Sequence, residues 1–237
     1  MLILPLKEPI WRGPDRAKLL VLKRARLVDL GHLGYRPATE IQRRTLETVI
    51  SGEGPNTLFF VEHDPVFTLG ASFHEENLLL PRPSYEEFGL EVVETERGGD
   101  VTFHGPNQLV IYPVFNVADF GRDLHRWMRD LEETIIRAIA PLGLQGKRSP
   151  VNTGVWLGEK KVAAIGVKVR RWVSMHGIAL NCDNDLRPFQ YIVPCGIRTH
   201  GVTSLSEELG RPVTVEEMKP AVRKAFEEVF EVEFDAG

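Results

Sequence analysis

Apolar residues along the chain gather in short, β-branched runs: residues 26–31 (RLVDLG), 57–62 (TLFFVE), 90–95 (LEVVET), 108–114 (QLVIYPV), 151–157 (VNTGVWL) and 161–169 (KVAAIGVKV). Gly, Pro and Asn separate them, and runs of this length bounded by turn formers predict strands. Helical spacing recurs in three places. The first predicted helix begins at Pro37, buries Ile41, Leu46, Val49 and Ile50, and stops at Gly52. The second sets Leu124, Trp127, Met128, Leu131, Ile135, Ile139 and Leu142 on one face and ends at Gly143. The third opens with a capping box, Thr214 with Glu217, and repeats apolar residues at Met218, Val222, Phe226 and Val229, with Pro220 in its first turns. Strands thus follow strands, interrupted by one long central helix. That order predicts an α+β fold, a mixed or antiparallel sheet packed with helices, rather than a βαβ alternation. With no internal repeat, low-complexity tract or Gly/Ser linker, one domain over residues 1–237 is expected.

Composition narrows the classes. The 237 residues are 43% hydrophobic and 26% charged, the balance of a soluble globular protein. Lys and Arg number 29 against 33 Asp and Glu, so a global electrostatic grip on nucleic acid is not expected. No apolar run reaches the roughly 18 residues that span a bilayer, so no membrane partner is expected either. The N-terminal stretch meets charge and proline after six residues and lacks a signal-peptide core. Two cysteines point to a reducing, cytoplasmic setting in which each thiol is packing or chemistry.

The densest polar and glycine cluster runs from Arg97 to Gln108 (RGGDVTFHGPNQ), on a turn and the start of a strand. Paired glycines let backbone approach a ligand closely; Arg97 could hold an anion, or could simply cap a tight hairpin. Cys195 lies between Pro194 and Gly196, turn formers that hold a thiol on a loop, whereas Cys182 follows an apolar alternation and reads as a packed hydrophobe. A nucleophilic Cys195 needs a cationic neighbour, for which His176, His200, Lys160, Lys161 and Lys168 are candidates. Strict alternation places Lys161 with Ala163 and Ile165, so one of the two lysines points toward small residues, as a snorkelling side chain or a placed cation.

Five segments occur together and in order: Glu62-His-Asp-Pro-Val-Phe-Thr-Leu-Gly70, Arg97-Gly-Gly-Asp-Val-Thr-Phe-His-Gly-Pro106, Lys161-Val-Ala-Ala-Ile-Gly166, Ser174-Met-His-Gly-Ile-Ala-Leu-Asn181 and Pro194-Cys-Gly196. This pattern, over residues 25–210, resembles the lipoyl(octanoyl) transferases. The resemblance implies the α+β architecture of lipoate and biotin protein ligases. It implies that the enzyme moves an octanoyl group from octanoyl-acyl carrier protein to the acceptor lysine of lipoyl domains, those of 2-oxoacid dehydrogenase E2 subunits and the glycine cleavage H protein. Cys195 is then implied to form an acyl-thioester with Lys161 as its partner. Arg97, Gly98, Gly99, Asp100, Val101, Thr102, Phe103 and His104, with Ala164, Ile165, Gly166, Gly177, Ile178 and Ala179, are implied to line the acyl site. One departure is Asn107, where the family carries glycine; asparagine tolerates the left-handed backbone such a turn needs.

These residue types suit the reaction. A thiolate attacks and leaves easily, and the thioester intermediate keeps its activation, so neither ATP nor a metal nor another cofactor is required. An ammonium about 4 Å from the sulfur is worth up to ~4 kcal/mol before desolvation. Lys161 would give a proton to the departing thiol and later take one from the incoming amine. Small residues leave room for an eight-carbon slot, and backbone N–H groups near Gly196 or a Gly177 turn could hold the oxyanion. Lys168, Arg170, Arg171 and Arg198 are candidates for a basic rim that meets acidic partners. Competing readings are an ATP-using lipoate or biotin ligase, a non-catalytic acyl-binding protein, and a cysteine hydrolase pairing Cys195 with His176 or His200.

Overall fold

The computed structural model describes residues 22–149, 152–193 and 201–235. Its strands are β1 (Lys23–His32), β2 (Thr57–Glu62), β3 (Val66–Leu69), β4 (Glu91–Glu94), β5 (Val101–His104), β6 (Gln108–Val114), β7 (Lys147–Arg148), β8 (Gly154–Leu157), β9 (Lys160–Arg170), β10 (Val173–Asn181), β11 (Gly201–Val202) and β12 (Val232–Phe234). Its helices are α1 (Tyr35–Ser51), α2 (Arg82–Glu87), α3 (Leu124–Ile139), α4 (Leu205–Leu209) and α5 (Val215–Phe230). The large sheet runs β12-β1-β2-β6-β10-β9-β8-β7, with β11 added to β9, and a small sheet runs β4-β3-β5. Parallel pairs (β12–β1, β1–β2, β11–β9, β3–β4) stand beside antiparallel ones such as β2–β6, β6–β10 and β10–β9. The fold is therefore α+β with mixed sheets, as the order of runs predicts. Among the described residues, no helix is long and apolar enough to cross a membrane.

The large sheet buries both faces. Leu109 and Ile111 of β6 and Ile178 and Leu180 of β10 pack under Trp127, Leu131 and Ile135 of α3 and Phe226 and Phe230 of α5. Val110 and Tyr112 of β6 and Ala179 of β10 turn the other way, to Leu46 and Val49 of α1. The period-two alternation of each strand thus feeds two cores. Each fully buried large apolar side chain contributes about 1.5–3 kcal/mol.

Helix boundaries follow local chemistry. Helix α1 starts at Tyr35, ahead of Pro37, and Gly52 closes it in the left-handed region (φ 77°). Its buried stripe is Tyr35, Ala38, Gln42, Leu46 and Val49, with Ile41 and Ile50 only half buried. Asp123 caps α3 by accepting from the N–H groups of His125 and Arg126. The helix ends at Ile139, and a 3₁₀ turn carries Pro141 and Leu142 to Gly143 (φ 81°). At α5 half of the capping box forms: Thr214 Oγ1 accepts from the Glu217 N–H at 3.1 Å, while the Glu217 carboxylate pairs with Arg211 at 2.8 Å. The helix runs on through Pro220.

The alternation expected at 161–169 needs correction. Strands β8 and β9 pair Val155 with Ala163 but Trp156 with Lys161, so Val162 is an extra residue, a β-bulge. Lys161 therefore does not share a face with Ala163, which packs in the α3–α5 core, but lines a small cavity with Ala164.

Candidate active site

A cavity of about 690 Å³ lies between β5 and the β9–β10 hairpin. Arg97, Gly98, Gly99, Asp100, Thr102 and His104 line one side; Ala164, Ile165, Gly166, Gly177, Ile178 and Ala179 line the other. The glycine loop reaches β9 through a hydrogen bond from the Gly98 N–H to the Val167 carbonyl (2.9 Å). Close approach explains the glycines: a Cβ on Gly166 would lie 2.6 Å from the Gly98 oxygen, and one on Gly70 only 2.2 Å from the Gly99 oxygen. A Cβ on Gly177 would lie 2.2 Å from the Ile111 oxygen. Gly177 is not on a turn, as one oxyanion suggestion had it, but in mid-strand opposite Gly166.

Two residues implied at the acyl site face elsewhere. Val101 and Phe103 pack into the core of the small sheet with Phe67, Leu69 and Tyr85. Period-two alternation in β5 sends Thr102 and His104 to the cavity and these two away from it.

Arg97 braces the loop instead of presenting itself as an anion clamp. Its Nε donates to Thr68 Oγ1 (3.0 Å), Nη1 to the Gly98 carbonyl (3.0 Å), and Nη2 to the carbonyls of Asp100 (2.6 Å) and Thr68. Asp100 holds the neighbouring segment, accepting from the Asn77 amide and the Val101 N–H. Asn107 adopts φ 63°, so the asparagine in the family's glycine position does take the left-handed conformation, after Pro106 in a turn closed from the Gln108 N–H to the Gly105 carbonyl.

Lys161 is buried, with 8% of its surface exposed. Its Nζ donates to Asn152 Oδ1 (3.1 Å) and the Thr153 carbonyl (3.4 Å) and stands 4.9 Å from the centre of the Trp156 ring. Asn152 and Thr153 line the main cavity. The small cavity at Lys161 shares Thr102, Ala164 and Ala179 with it, so the two adjoin. The Lys161 backbone is clamped from the other side. Val202 of β11 pairs with it, and the Thr203 N–H donates to its carbonyl (3.0 Å). A directed chain of side-chain donors ties this clamp to His104. Gln108 accepts from His104 Nδ1 (2.8 Å) and donates to Asn181 Oδ1 (2.9 Å), and Asn181 donates to the Thr203 carbonyl (2.9 Å). With Nδ1 donating to an oxygen, His104 Nε2 is the unprotonated nitrogen, facing Thr68 Oγ1 at 3.5 Å.

Three imidazoles, His63, His104 and His176, gather with Tyr35 and Tyr112 beside the cavity. Burial holds His63 down to about 4 and His176 to about 3, and pushes His104 well below the usual imidazole range. Burial likewise raises the Tyr35 and Tyr112 phenols. All five rings are thus neutral near pH 7 and serve as wall and hydrogen-bond partners. Tyr35, Tyr112 and Asn152 were not singled out from sequence; His63 and Asn181 sit inside motif segments without a role attached.

Other expectations sort themselves by position. Cys182 is buried, and burial pushes its thiol up to about 12, in keeping with packing. Of the candidates for a basic rim, Lys168, Arg170 and Arg171 lie away from Lys161: Lys168 stands 3.9 Å from Glu96 and Arg170 pairs with Glu47. Arg171 is at the tip of the β9–β10 hairpin, and Lys168 already lies roughly 20 Å along the strand from Lys161. Cys195, with Pro194, Gly196, Arg198 and His200, lies outside the described residues.

Comparison with known proteins bears on this geometry. Residues 34–227 match the model of the lipoyl protein ligase A/B catalytic domain. The chain is 48% identical over 198 residues, 84% of its length and 90% of the relative's, to an octanoyltransferase of Geobacter metallireducens. In fold it is similar to a bipartite lipoate protein ligase of Thermoplasma acidophilum, with TM-score 0.70 and 17% identity over 91% of this chain and 87% of that one. A biotin protein ligase of Aquifex aeolicus superposes with TM-score 0.54 and 15% identity, over 87% of this chain and 70% of that one.

Proposed function

The chain belongs to the lipoyl protein ligase A/B catalytic-domain family, and on that premise we propose how its site carries out octanoyl transfer in lipoate attachment. It is an acyltransferase. The octanoyl group arrives as the thioester of acyl carrier protein, passes to Cys195, and leaves as an amide on a lysine of a lipoyl domain, on 2-oxoacid dehydrogenase E2 subunits or the glycine cleavage H protein. The work is done by one catalytic domain in the cytoplasm.

The observation that carries this reading is Lys161. A buried lysine, its Nζ donating to two oxygen acceptors, lines a small cavity beside the larger one that Gly98, Gly99, Ala164, Gly166, Gly177 and Ala179 help to line. Strand β11, which resumes the described chain six residues after Cys195, is hydrogen-bonded to the backbone at Lys160 and Lys161. A thiolate near that ammonium attacks the incoming thioester carbonyl; the carbon–sulfur bond to the carrier breaks and Lys161 protonates the leaving thiol. Neutral Lys161 then accepts a proton from the acceptor amine as the new carbon–nitrogen bond forms. The thiolate of Cys195 leaves, and the starting charge pair is restored. Thioester-to-thioester exchange is nearly balanced in free energy and thioester-to-amide transfer runs downhill, so no ATP enters the balance.

Intact-mass spectrometry tests the reading. Mixed with octanoyl-acyl carrier protein and no ATP, the parent gains one octanoyl group that hydroxylamine removes; Cys195→Ser gains none, and Lys161→Ala gains it at least 100-fold more slowly. A gain that survives in Cys195→Ser, or transfer to a lipoyl domain that requires ATP, overturns it.

A further inference from the structure

We infer that Tyr35 and His176 form the end wall of the acyl slot and set the longest chain the enzyme accepts. The inference rests on the octanoyl reading of the slot. On the α1 side of the molecule a second groove, of about 550 Å³, opens to solvent between α1 and residues 93–96. Two residues, Tyr35 and His176, line both this groove and the main cavity, and no other described residue lines both. Both stand between the two spaces: each is 3% exposed, and the Tyr35 hydroxyl lies 3.5 Å from His176 Nδ1.

The wall is held in place by its neighbours. Tyr35 stacks on the His104 ring (centroids 5.9 Å apart, planes at 11°), and His176 meets Tyr112 edge-on at 6.4 Å. His176 reaches this position by leaving the alternation of its strand. Ile178 and Leu180 face α3 and α5, and a regular β10 would send His176 the same way. Its φ of 58°, uncommon for a residue with a Cβ, turns the ring toward α1 instead, and Gln42 Oε1 accepts the displaced N–H at 2.8 Å.

The distance fits the cargo. The slot meets the Lys161 cavity at Ala164 and Ala179. From Ala179 to His176 is three strand steps, roughly 10 Å. Seven zigzag carbon–carbon bonds of about 1.5 Å span roughly 9 Å. An octanoyl tail therefore ends against the Tyr35–His176 wall. Beyond it the groove carries Arg36, Glu40, Arg43 and Glu47 beside Val93, a lining rich in charged groups.

The test is competition among octanoyl, decanoyl and dodecanoyl thioesters of acyl carrier protein, read as the ratio of acyl-enzymes by intact mass. The parent selects octanoyl. Tyr35→Ala vacates the wall, and each newly buried methylene is worth about fourfold, so the decanoyl-to-octanoyl ratio rises about 15-fold. His176→Gly opens the same wall with a residue suited to φ 58°, which guards against misfolding. Tyr35→Phe keeps the ring, and its ratio stays within twofold of the parent. Folded variants that take octanoyl yet keep the parent ratio within threefold overturn the inference, as does a parent that accepts dodecanoyl as readily as octanoyl. A parent that takes no acyl group from any donor overturns the octanoyl reading itself.

Discussion

Three neutral imidazoles packed behind an active-site cavity make the fold sensitive to mild acid. An unfolded histidine takes a proton near pH 6.5, whereas folded His63 holds out to about 4 and His176 to about 3. His104 is pushed down as well. Between these limits the unfolded state binds more protons, so stability is full above pH 6.5 and falls as pH falls. At pH 5.5 His63 and His176 each forfeit RT ln(1 + 10), on the order of 1 kcal/mol, so together roughly 2–3 kcal/mol, and His104 adds to the loss in the same direction. That is a large share of a typical 5–15 kcal/mol. Carboxylates held low by ion pairs, such as Glu133 beside Arg137 and Arg148, lose their contribution only below about pH 4.5, outside the window. Urea unfolding at pH 7.5 and 5.5 measures the loss directly. His63→Gln, which can still hydrogen-bond toward Leu33 and Tyr112, should reduce the pH-dependent part by roughly 1 kcal/mol. A parent that loses less than a single histidine's share between the two pH values refutes the reasoning, because the rings would then be charged or wet.

Other substitutions probe the site's framework. Gly70→Ala puts a Cβ 2.2 Å from the Gly99 oxygen and 2.7 Å from Arg97 Nη1; we expect a loss of about 1–3 kcal/mol in thermal or urea unfolding and at least tenfold slower acyl-enzyme formation. Glu132 is fully buried, accepts from the Gly154 N–H (3.0 Å) and pairs with Arg129 and Arg148. Glu132→Leu strands that N–H next to the Lys161 side chain and should cost about 3 kcal/mol, with Lys161-dependent acylation slowed in parallel. Cys182→Ala should leave the rate of thiol alkylation at pH 7 unchanged, since the buried Cys182 thiol contributes no thiolate there; a halved fast phase would show it to be reactive.

Much of the fold was legible in the chain. The runs at 57–62 and 108–114 are strands over those same residues, and Gly52 and Gly143 close their helices with positive φ. These features depend on alternation, capping and glycine geometry, which neighbouring residues encode. The candidate cavity was legible as a set of segments: Arg97–Asp100, Thr102 and His104 do meet Ala164–Gly166 and Gly177–Ala179. What escaped was the direction of individual side chains. Period-two counting set Lys161 beside Ala163, and a bulge at Val162 reversed it. A motif naming Val101 and Phe103 could not say that alternation would spend them on the small sheet's core.

Local pattern, then, located β1, β2, β4, β6, β8 and β9 and the three long helices, and determined which residues could carry chemistry and that the chain forms an α+β fold. Tertiary structure alone decided that Arg97 braces a loop through Thr68, that His176 turns out of its strand to meet Tyr35, and that the cations at Lys168 and Arg170 are paired with acids far from Lys161. Those partners lie tens to more than a hundred residues apart in sequence. Their energies arise only when packing brings them within a few ångströms, where hydrogen bonds and desolvation act and a one-dimensional pattern has nothing to say.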